Sequence, residues 1–177
     1  MDDSGSHAPA PEESARAPGK DRVRARDDDR ARAHVDDRAR AREVARLMME
    51  DDRASRHLGI ELLDVGPGRA RMQLKVRPEF TNGHGICHGG YIFLLADTTF
   101  AYASNSHNQR AVAAGCSIEF LAPAHDGDTL TAEGVEQHLA GRHGIYDMRV
   151  HDQRGKLIAL FRGKSATIKG QFFEETT

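Results

Sequence analysis

The feature of this sequence that most constrains its fold is an apolar segment that carries a single carboxylate. Residues 91–102 have the sequence Y-I-F-L-L-A-D-T-T-F-A-Y, which is long enough for a helix and apolar on every face. Because such a helix has no face suited to water, it belongs in the core of a domain. Asp97 lies inside it, where a carboxylate loses hydration at a cost of several kcal/mol unless it is paired, hydrogen-bonded or neutralised.

Asp97 has two interpretations. It can be architectural, with its carboxylate satisfied by backbone N–H groups or by the hydroxyls of Thr98 and Thr99. It can also be catalytic, which we favour because buried unpaired carboxylates are rare and often functional. Desolvation would raise the pKa of the Asp97 carboxyl, whereas helix N–H groups or a bound cation would lower it, so the sign of the shift stays open.

Two glycines, Gly89 and Gly90, stand immediately before the apolar segment. The first backbone N–H groups of a helix have no partner within the helix and can hold an anion. The segment thus offers an oxyanion site and, in Asp97, a perturbed acid–base group, which together indicate acyl-transfer chemistry. The alternative is that the glycines only allow a tight turn or close helix packing.

The spacing of Gly89 and Asp97 predicts a dimer. The two residues are eight positions apart, which is about 12 Å along an α-helix. One substrate carbonyl cannot contact the first N–H of a helix and a carboxylate that far along the same helix. If both groups act on one carbon atom, they come from two antiparallel copies of the helix, and the active site lies at a subunit interface.

The rest of the pattern predicts an α+β domain. A helix is expected over residues 41–56, ended by Gly59, because apolar residues recur there at helical spacing. Strands are expected at residues 60–65, 70–76, 112–121, 129–135, 145–150 and 157–168, separated by turns rich in Pro, Gly and Asp. One long helix among antiparallel strands indicates a helix wrapped by a sheet.

The N-terminal part of the chain has a different composition. Residues 1–40 are dominated by Asp, Arg, Ala and Pro, and residues 1–43 contain no aromatic side chain. We expect a charged tail over residues 1–40, disordered over about 1–35, part of which can continue into the following helix as a solvent-exposed helix. The domain is then expected over residues 41–170, followed by a short C-terminal tail over residues 171–177.

Charge and cysteine content narrow the function classes. The net charge of −2 gives no reason to expect a nucleic-acid partner. Cys87 and Cys116 show no paired spacing, which favours a reducing compartment. Neither a signal peptide nor a membrane-spanning segment is visible, so we expect a soluble, cytoplasmic protein.

Several stretches resemble the hotdog-fold acyl-CoA thioesterases, and most closely their PaaI (phenylacetate-degradation) group. They are H-L-G-I-E-L-L at 57–63, F-T-N-G-H-G-I-C-H-G-G-Y-I-F-L-L-A-D-T-T-F-A-Y-A-S-N at 80–105 and G-C-S-I-E-F-L-A-P-A at 115–124. The stretch G-R-H-G-I-Y-D-M-R-V at 141–150 and the final strand to Ile168 complete the resemblance. The resemblance covers about residues 44–169. It implies hydrolysis of an aryl- or medium-chain acyl-CoA, such as phenylacetyl-CoA or a ring-hydroxylated relative, by a homodimer or homotetramer with no cofactor beyond the substrate's own coenzyme A.

The resemblance also implies roles for individual residues. Asp97 is the nucleophile or the general base that activates water, and the Gly89 N–H polarises the thioester carbonyl. Asn82 orients the water or the acid, although N-G is also a common turn. His88 caps the helix or hydrogen-bonds near the thioester. The substrate-binding set beside them is Gly90 and Thr98.

The turn around Arg142 is assigned by resemblance to the nucleotide end of coenzyme A. Its residues are Gly141, Arg142 and His143, and a guanidinium suits phosphate geometry. The alternative is a hairpin loop with a solvated charge.

Other chemistries fit the sequence less well. A metal site at His84, Cys87 and His88 has no second ligand cluster and poor zinc spacing. A Cys87–His88 nucleophilic pair fails because neighbouring side chains on a helix diverge, so Cys87 is expected to be an apolar filler. The rival functions are a hotdog dehydratase, which needs a His acid–base pair, and a non-catalytic acyl-CoA-binding module, which needs no buried Asp.

Overall fold

A computed structural model describes residues 36–175, in which a long helix packs against a six-stranded antiparallel sheet. The helices are α1 (residues 36–51), α2 (Arg53–Leu58) and α3 (Gly89–Asn105), with a short 3₁₀ helix at Pro78–Phe80. The strands are β1 (Glu61–Gly66), β2 (Arg69–Lys75), β3 (Ala111–Phe120), β4 (Thr129–Ala140), β5 (His143–His151) and β6 (Leu157–Thr167). Their order in the sheet is β1-β2-β4-β5-β6-β3. The predicted α+β fold, a long helix wrapped by an antiparallel sheet, is confirmed.

The core lies between α3 and the inner face of the sheet. On β2, Ala70, Met72 and Leu74 are buried while Arg71 and Lys75 are exposed, as the alternating sequence requires. The buried side of α3 contributes Ile92, Leu95, Ala96, Phe100, Tyr102 and Ala103. These apolar contacts fix α3 against the sheet and so determine where Asp97 lies.

One glycine of the sheet lets α3 approach closely. A Cβ atom at Gly163 of β6 would lie 2.8 Å from the Phe100 ring, so only glycine leaves room for this ring. Phe100 also packs against the Tyr146 and Phe161 rings in tilted arrangements, with ring centroids 5.4 and 5.9 Å away. The turn of α3 after Asp97 is therefore held at a fixed height above the sheet.

The expectation that α3 is buried on every face is wrong for a single chain. A strip of α3 is only half-buried, and its residues are Phe93, Leu94, Asp97, Thr98 and Ala101. Beside this strip, β3 forms an edge of the sheet, where Val112 and Phe120 are 48% and 53% exposed. An apolar strip and an unpaired edge strand lie side by side, which is a combination that proteins usually cover.

The N-terminal helical region differs from the prediction in its bounds. The predicted helix over 41–56 is two helices, because Asp52 interrupts it and its carboxylate caps α2 by accepting the Ser55 N–H at 2.9 Å. Helix α1 includes residues 36–40, so the expected tail boundary at 40 falls inside a helix. The predicted disorder over about residues 1–35 lies outside the described residues.

The hairpin between β4 and β5 is shorter than predicted. Strand β4 continues five residues past Val135, with a bulge between Glu136 and His138 that breaks the alternation on which the prediction rested. The turn consists of Gly141, with φ of 57°, and Arg142, so that His143 already belongs to β5. Within residues 36–175, no helix is long and apolar enough to cross a membrane.

Candidate active site

The start of α3 leaves one backbone donor unused. His88 precedes the helix as its N-cap, and its Nδ1 accepts the Gly90 N–H at 2.9 Å. Among residues 36–175, the Gly89 N–H makes no hydrogen bond. The two glycines therefore differ: the N–H of Gly90 is occupied by His88, and that of Gly89 is available to an oxyanion.

Gly89 also packs closely against the end of β3. A Cβ atom at position 89 would lie 2.9 Å from Cζ of Phe120. The packing explanation for this glycine and the oxyanion explanation thus both have support. They are compatible, because the ring occupies the side-chain direction and leaves the N–H uncovered.

Asp97 is half-buried on the uncovered strip of α3. Its Oδ1 lies 3.8 Å from Sγ of Cys116, which is its only side-chain partner within residues 36–175. The architectural alternative finds no support in the threonine hydroxyls, because Thr99 Oγ1 donates to the Leu95 carbonyl and Thr98 makes no hydrogen bond to the carboxylate. Burial raises the pKa of the Asp97 carboxyl, and the Cys116 hydrogen bond opposes this rise.

Cys116 is the residue beside the carboxylate that sequence reasoning missed. Burial, followed by the charge of Asp97, raises the pKa of the Cys116 thiol, so the thiol is a donor to Asp97 rather than a thiolate. The signal that points to it is the alternation along β3, which puts Cys116 on the same face as Ile118. Ile118 packs against the core, whereas Cys116 is exposed in a single chain.

A single chain does not bring Gly89 and Asp97 together. Along β3, Phe120 lies next to Gly89 and Cys116 lies next to Asp97. The two candidate groups thus occupy different levels of the same helix, about 12 Å apart by helical rise.

Asn82 forms the turn that leads into α3. Its Oδ1 accepts the His84 N–H at 2.9 Å, and its own N–H donates to the Ile86 carbonyl at 2.9 Å. The turn interpretation of N-G is therefore observed. The side-chain Nδ2 makes no hydrogen bond within residues 36–175 and stays available for a second role.

Cys87 has the environment of an apolar filler. It is 3% exposed, and burial raises the pKa of its thiol to about 11. Its Sγ lies 3.7 Å from the His88 carbonyl, and the Nδ1 of His88 is engaged by Gly90. A protonated thiol and an occupied imidazole nitrogen do not make a nucleophilic pair.

The hairpin of Arg142 lies at the opposite end of β3 from Gly89. Nε and Nη2 of Arg142 both donate to the Thr167 carbonyl, at 3.2 and 3.0 Å, and Thr167 pairs with Ala111 at the first residue of β3. His143 Nδ1 lies 3.3 Å from the Ser165 carbonyl. Arg142 is exposed but anchored, and within one chain it is not near Gly89.

A cavity of about 330 Å³ opens beside Asp97. Its lining includes Met48 of α1, Phe100 and Ala101 of α3, Arg110, and Phe172 near the C-terminus. A larger cavity, of about 730 Å³, lies on the other face of the sheet among charged strand residues and contains no candidate site residue.

Comparisons with known proteins point to one family. The Thioesterase superfamily matches residues 84–159. The acyl-coenzyme A thioesterase PaaI of Escherichia coli is 45% identical over 126 residues, covering 71% of this chain and 90% of the relative. The solved structure of the E. coli PaaI protein from the phenylacetic acid degradation operon matches with a TM-score of 0.75 and 43% identity, covering 76% of this chain and 97% of that one. A Streptococcus mutans protein solved bound to acetyl CoA matches with a TM-score of 0.61 and 26% identity, covering 63% of this chain and 90% of that one.

Proposed function

Because the chain belongs to the PaaI group of hotdog-fold acyl-CoA thioesterases, we propose that it hydrolyses an aryl- or medium-chain acyl-CoA, of the phenylacetyl-CoA or hydroxyphenylacetyl-CoA type. The products are the free acid and coenzyme A. The strongest support for the site is Asp97, a half-buried carboxylate with one weak partner that opens onto a largely apolar cavity.

Asp97, Gly89 and Asn82 have different roles in the proposed hydrolysis. In one route, Asp97 takes a proton from water, the water oxygen adds to the thioester carbonyl carbon, and the C–S bond breaks as the sulfur leaves with that proton as the thiol of coenzyme A. In the other route, the Asp97 carboxylate itself adds to this carbon and displaces the coenzyme A thiolate, and water then opens the resulting anhydride to give the free acid and the original carboxylate. The Gly89 N–H donates to the carbonyl oxygen as it gains negative charge, and Asn82 orients the water.

The site is completed by a second chain. The free N–H of Gly89 and the carboxylate of Asp97 lie about 12 Å apart on one helix, so Gly89 of one chain and Asp97 of the other act on the same carbonyl. The half-buried strip of α3 and the exposed edge strand β3 provide an apolar surface for this dimer. An isologous interface of two antiparallel α3 helices yields two such sites.

Release of the coenzyme A thiol from phenylacetyl-CoA by the purified protein tests this function. We expect saturable turnover that yields equal amounts of thiol and free acid. Binding of the thioester without thiol release would instead make the protein a non-catalytic acyl-CoA-binding module. Loss of water from a 3-hydroxyacyl-CoA, with the thioester retained, would make it a dehydratase.

The pH dependence of turnover should report the carboxyl of Asp97. Both proposed roles need the carboxylate, and burial raises the pKa of this group above the usual 3.8. Activity is thus expected to fall as the pH drops through the raised pKa, because protonation removes the carboxylate. A kcat/KM profile that stays flat down to pH values of about 4 would contradict an essential Asp97 with a raised pKa.

Replacing Arg142 with Ala should raise KM for acyl-CoA more than it lowers kcat. A contact to a remote phosphate is present in the ground state and in the transition state alike. Short thioesters without the nucleotide should be hydrolysed equally by the wild type and the variant. Arg71→Ala, on the outer face of the sheet, is the control. A selective loss on the short thioesters would place Arg142 at the reacting carbon instead.

A further inference from the structure

Strand β3 does not keep one alternation along its whole length, and the change decides which face carries Cys116. Ala113 and Gly115 pair with neighbouring residues of β6, so Ala114 between them is an extra residue that forms a bulge. Counting alternate positions onward from Ala113 would put Cys116 on the outer face of the sheet. The bulge shifts the count by one and puts Cys116 on the face that carries α3, beside Asp97.

The residue opposite Cys116 on the sheet has no side chain. Cys116 pairs with Gly163 of β6, and a Cβ atom at Gly163 would lie 2.8 Å from the Phe100 ring, which fills that space. Phe100 follows Asp97 by three positions on α3. The packing that fixes the height of α3 above the sheet therefore also fixes the separation of the carboxylate and the thiol, which is 3.8 Å from Oδ1 of Asp97 to Sγ of Cys116.

The two oxygens of the Asp97 carboxylate have different surroundings. Oδ1 accepts from the Cys116 thiol, whereas Oδ2 makes no hydrogen bond within residues 36–175. Burial, followed by the charge of Asp97, raises the pKa of the Cys116 thiol, because a thiolate beside a carboxylate would be repelled. Cys116 is therefore suited to donate a hydrogen bond and poorly suited to attack a thioester.

The contact with Cys116 is the one that favours the charged form of Asp97. Among the described residues that line the cavity beside Asp97, Arg110 is the other charged one. Its guanidinium stacks 4.6 Å above the Phe172 ring, and its Nε donates to the Gln171 carbonyl at 3.1 Å. Within residues 36–175, burial raises the pKa of the Asp97 carboxyl and the Cys116 hydrogen bond alone opposes it.

We propose that Cys116 is a positioning residue for the hydrolysis, and that its thiol holds Oδ1 of Asp97 so that Oδ2 is presented to water or to the thioester. The inference rests on the proposed function, because it takes Asp97 as the base or the nucleophile. The thiol keeps its proton and forms no bond to the acyl group. Since a sulfhydryl is a weak donor, its contribution is a few-fold rather than several powers of ten.

The acid limb of the kcat/KM profile tests the inference. Cys116→Ala removes the donor, and Cys116→Val removes it while filling the space of the side chain. We expect both variants to lose activity only a few-fold at the plateau and to move the acid limb to higher pH, because the carboxylate loses a group that favours its charged form. Below the wild-type midpoint, each variant should keep about threefold less of its own plateau activity than the wild type keeps.

Ser117→Ala is the matched control for these variants. Ser117 is the next residue of β3 and lines the cavity on the other face of the sheet. Its replacement changes the same strand without touching Asp97, so the acid limb should stay where it is in the wild type. A limb that moves only in Cys116→Ala, and not in Cys116→Val, would mean that Cys116 acts by packing and would overturn the inference.

The titration of Asp97 can also be measured without turnover. The carbon-13 signal of its carboxyl, in protein labelled at aspartate, is assigned by its loss in Asp97→Asn. The pKa of this carboxyl should be higher in Cys116→Ala than in the wild type. Cys116→Ser should bring it back down, because a hydroxyl is a stronger donor and the half-buried carboxylate can rotate towards it.

Three further results would overturn the inference. They are a carboxyl titration that is the same in Cys116→Ala and the wild type, a serine variant that behaves as the alanine variant does, and a complete loss of hydrolysis in Cys116→Ala, which a nucleophilic thiol requires. If the wild type hydrolyses no acyl-CoA, the proposed function fails, whereas the carboxyl titration still decides whether Cys116 acts on Asp97.

Discussion

Replacing Asp97 with Asn is expected to abolish thioester hydrolysis and to leave the fold intact. Asn has the same shape but supplies neither a base nor a nucleophile, and positioned acid–base groups typically contribute about 10²- to 10⁴-fold to a rate. The carboxylate makes no ion pair in the described chain and has one thiol partner, so its replacement breaks little. Because burial disfavours the charged form of Asp97, a neutral side chain should not lower the melting temperature.

The measurement is kcat/KM for phenylacetyl-CoA alongside a thermal melt. Asp64→Asn is the matched control, because this carboxylate lies on β1 in an exposed ion pair with Arg69, and it should keep full activity. If Asp97→Asn retains hydrolysis within about tenfold of the wild type, a loss of only ~1.4 kcal/mol of transition-state stabilisation, Asp97 is not the catalyst.

The sequence predicted well those elements whose pattern is local. The apolar run around Asp97 predicted α3, and the alternation of residues 70–76 predicted β2 to within one residue at each end. The prediction of β4 failed at Glu136, because a bulge changes the period at a point that only the pairing with β5 reveals. The break between α1 and α2 at Asp52 was also missed, because the apolar residues keep helical spacing across it. The Asp52 carboxylate accepts the Ser55 N–H and so starts a new helix, which the spacing of apolar residues does not reveal.

Contacts between distant parts of the chain could not be predicted in the same way. The Cys116 thiol meets Asp97 only because β3 returns alongside α3, and Asn108 binds the backbone of Phe172 and Phe173, more than sixty positions later in the chain. Neither pair has a local signature. The start of α3 was predicted in part. The sequence indicated that the N–H groups of Gly89 and Gly90 could hold an anion, but it did not show that the Gly90 N–H donates to His88 and is therefore not free.

The shared active site predicts that two inactive variants restore each other. Asp97→Asn lacks the carboxylate, and Gly89→Pro lacks the N–H that would polarise the carbonyl. Proline is tolerated at the first position of a helix, and His88 before it is already extended, with φ of −64° and ψ of 132°. In a mixed dimer, one site carries both lesions and the other carries neither.

Gly89→Ala separates the loss of the N–H from a packing effect. Its Cβ would meet Phe120 at 2.9 Å, as would that of proline, but it keeps the backbone donor. Since Phe120 is 53% exposed, its ring can move. The alanine variant should therefore retain much more activity than the proline variant, while equal losses in the two would assign Gly89 to packing alone.

The measurement that tests the account most directly is hydrolysis of phenylacetyl-CoA after the two inactive variants are mixed and have exchanged subunits. Each variant is first shown to fold and to dimerise, and the mixed dimer is detected by a mass tag on one chain. Random exchange makes about half of the dimers mixed, each with one intact site of two, so roughly a quarter of wild-type activity should return. If mixed dimers form and no activity returns, Gly89 and Asp97 do not act across the interface, and each chain carries its own chemistry.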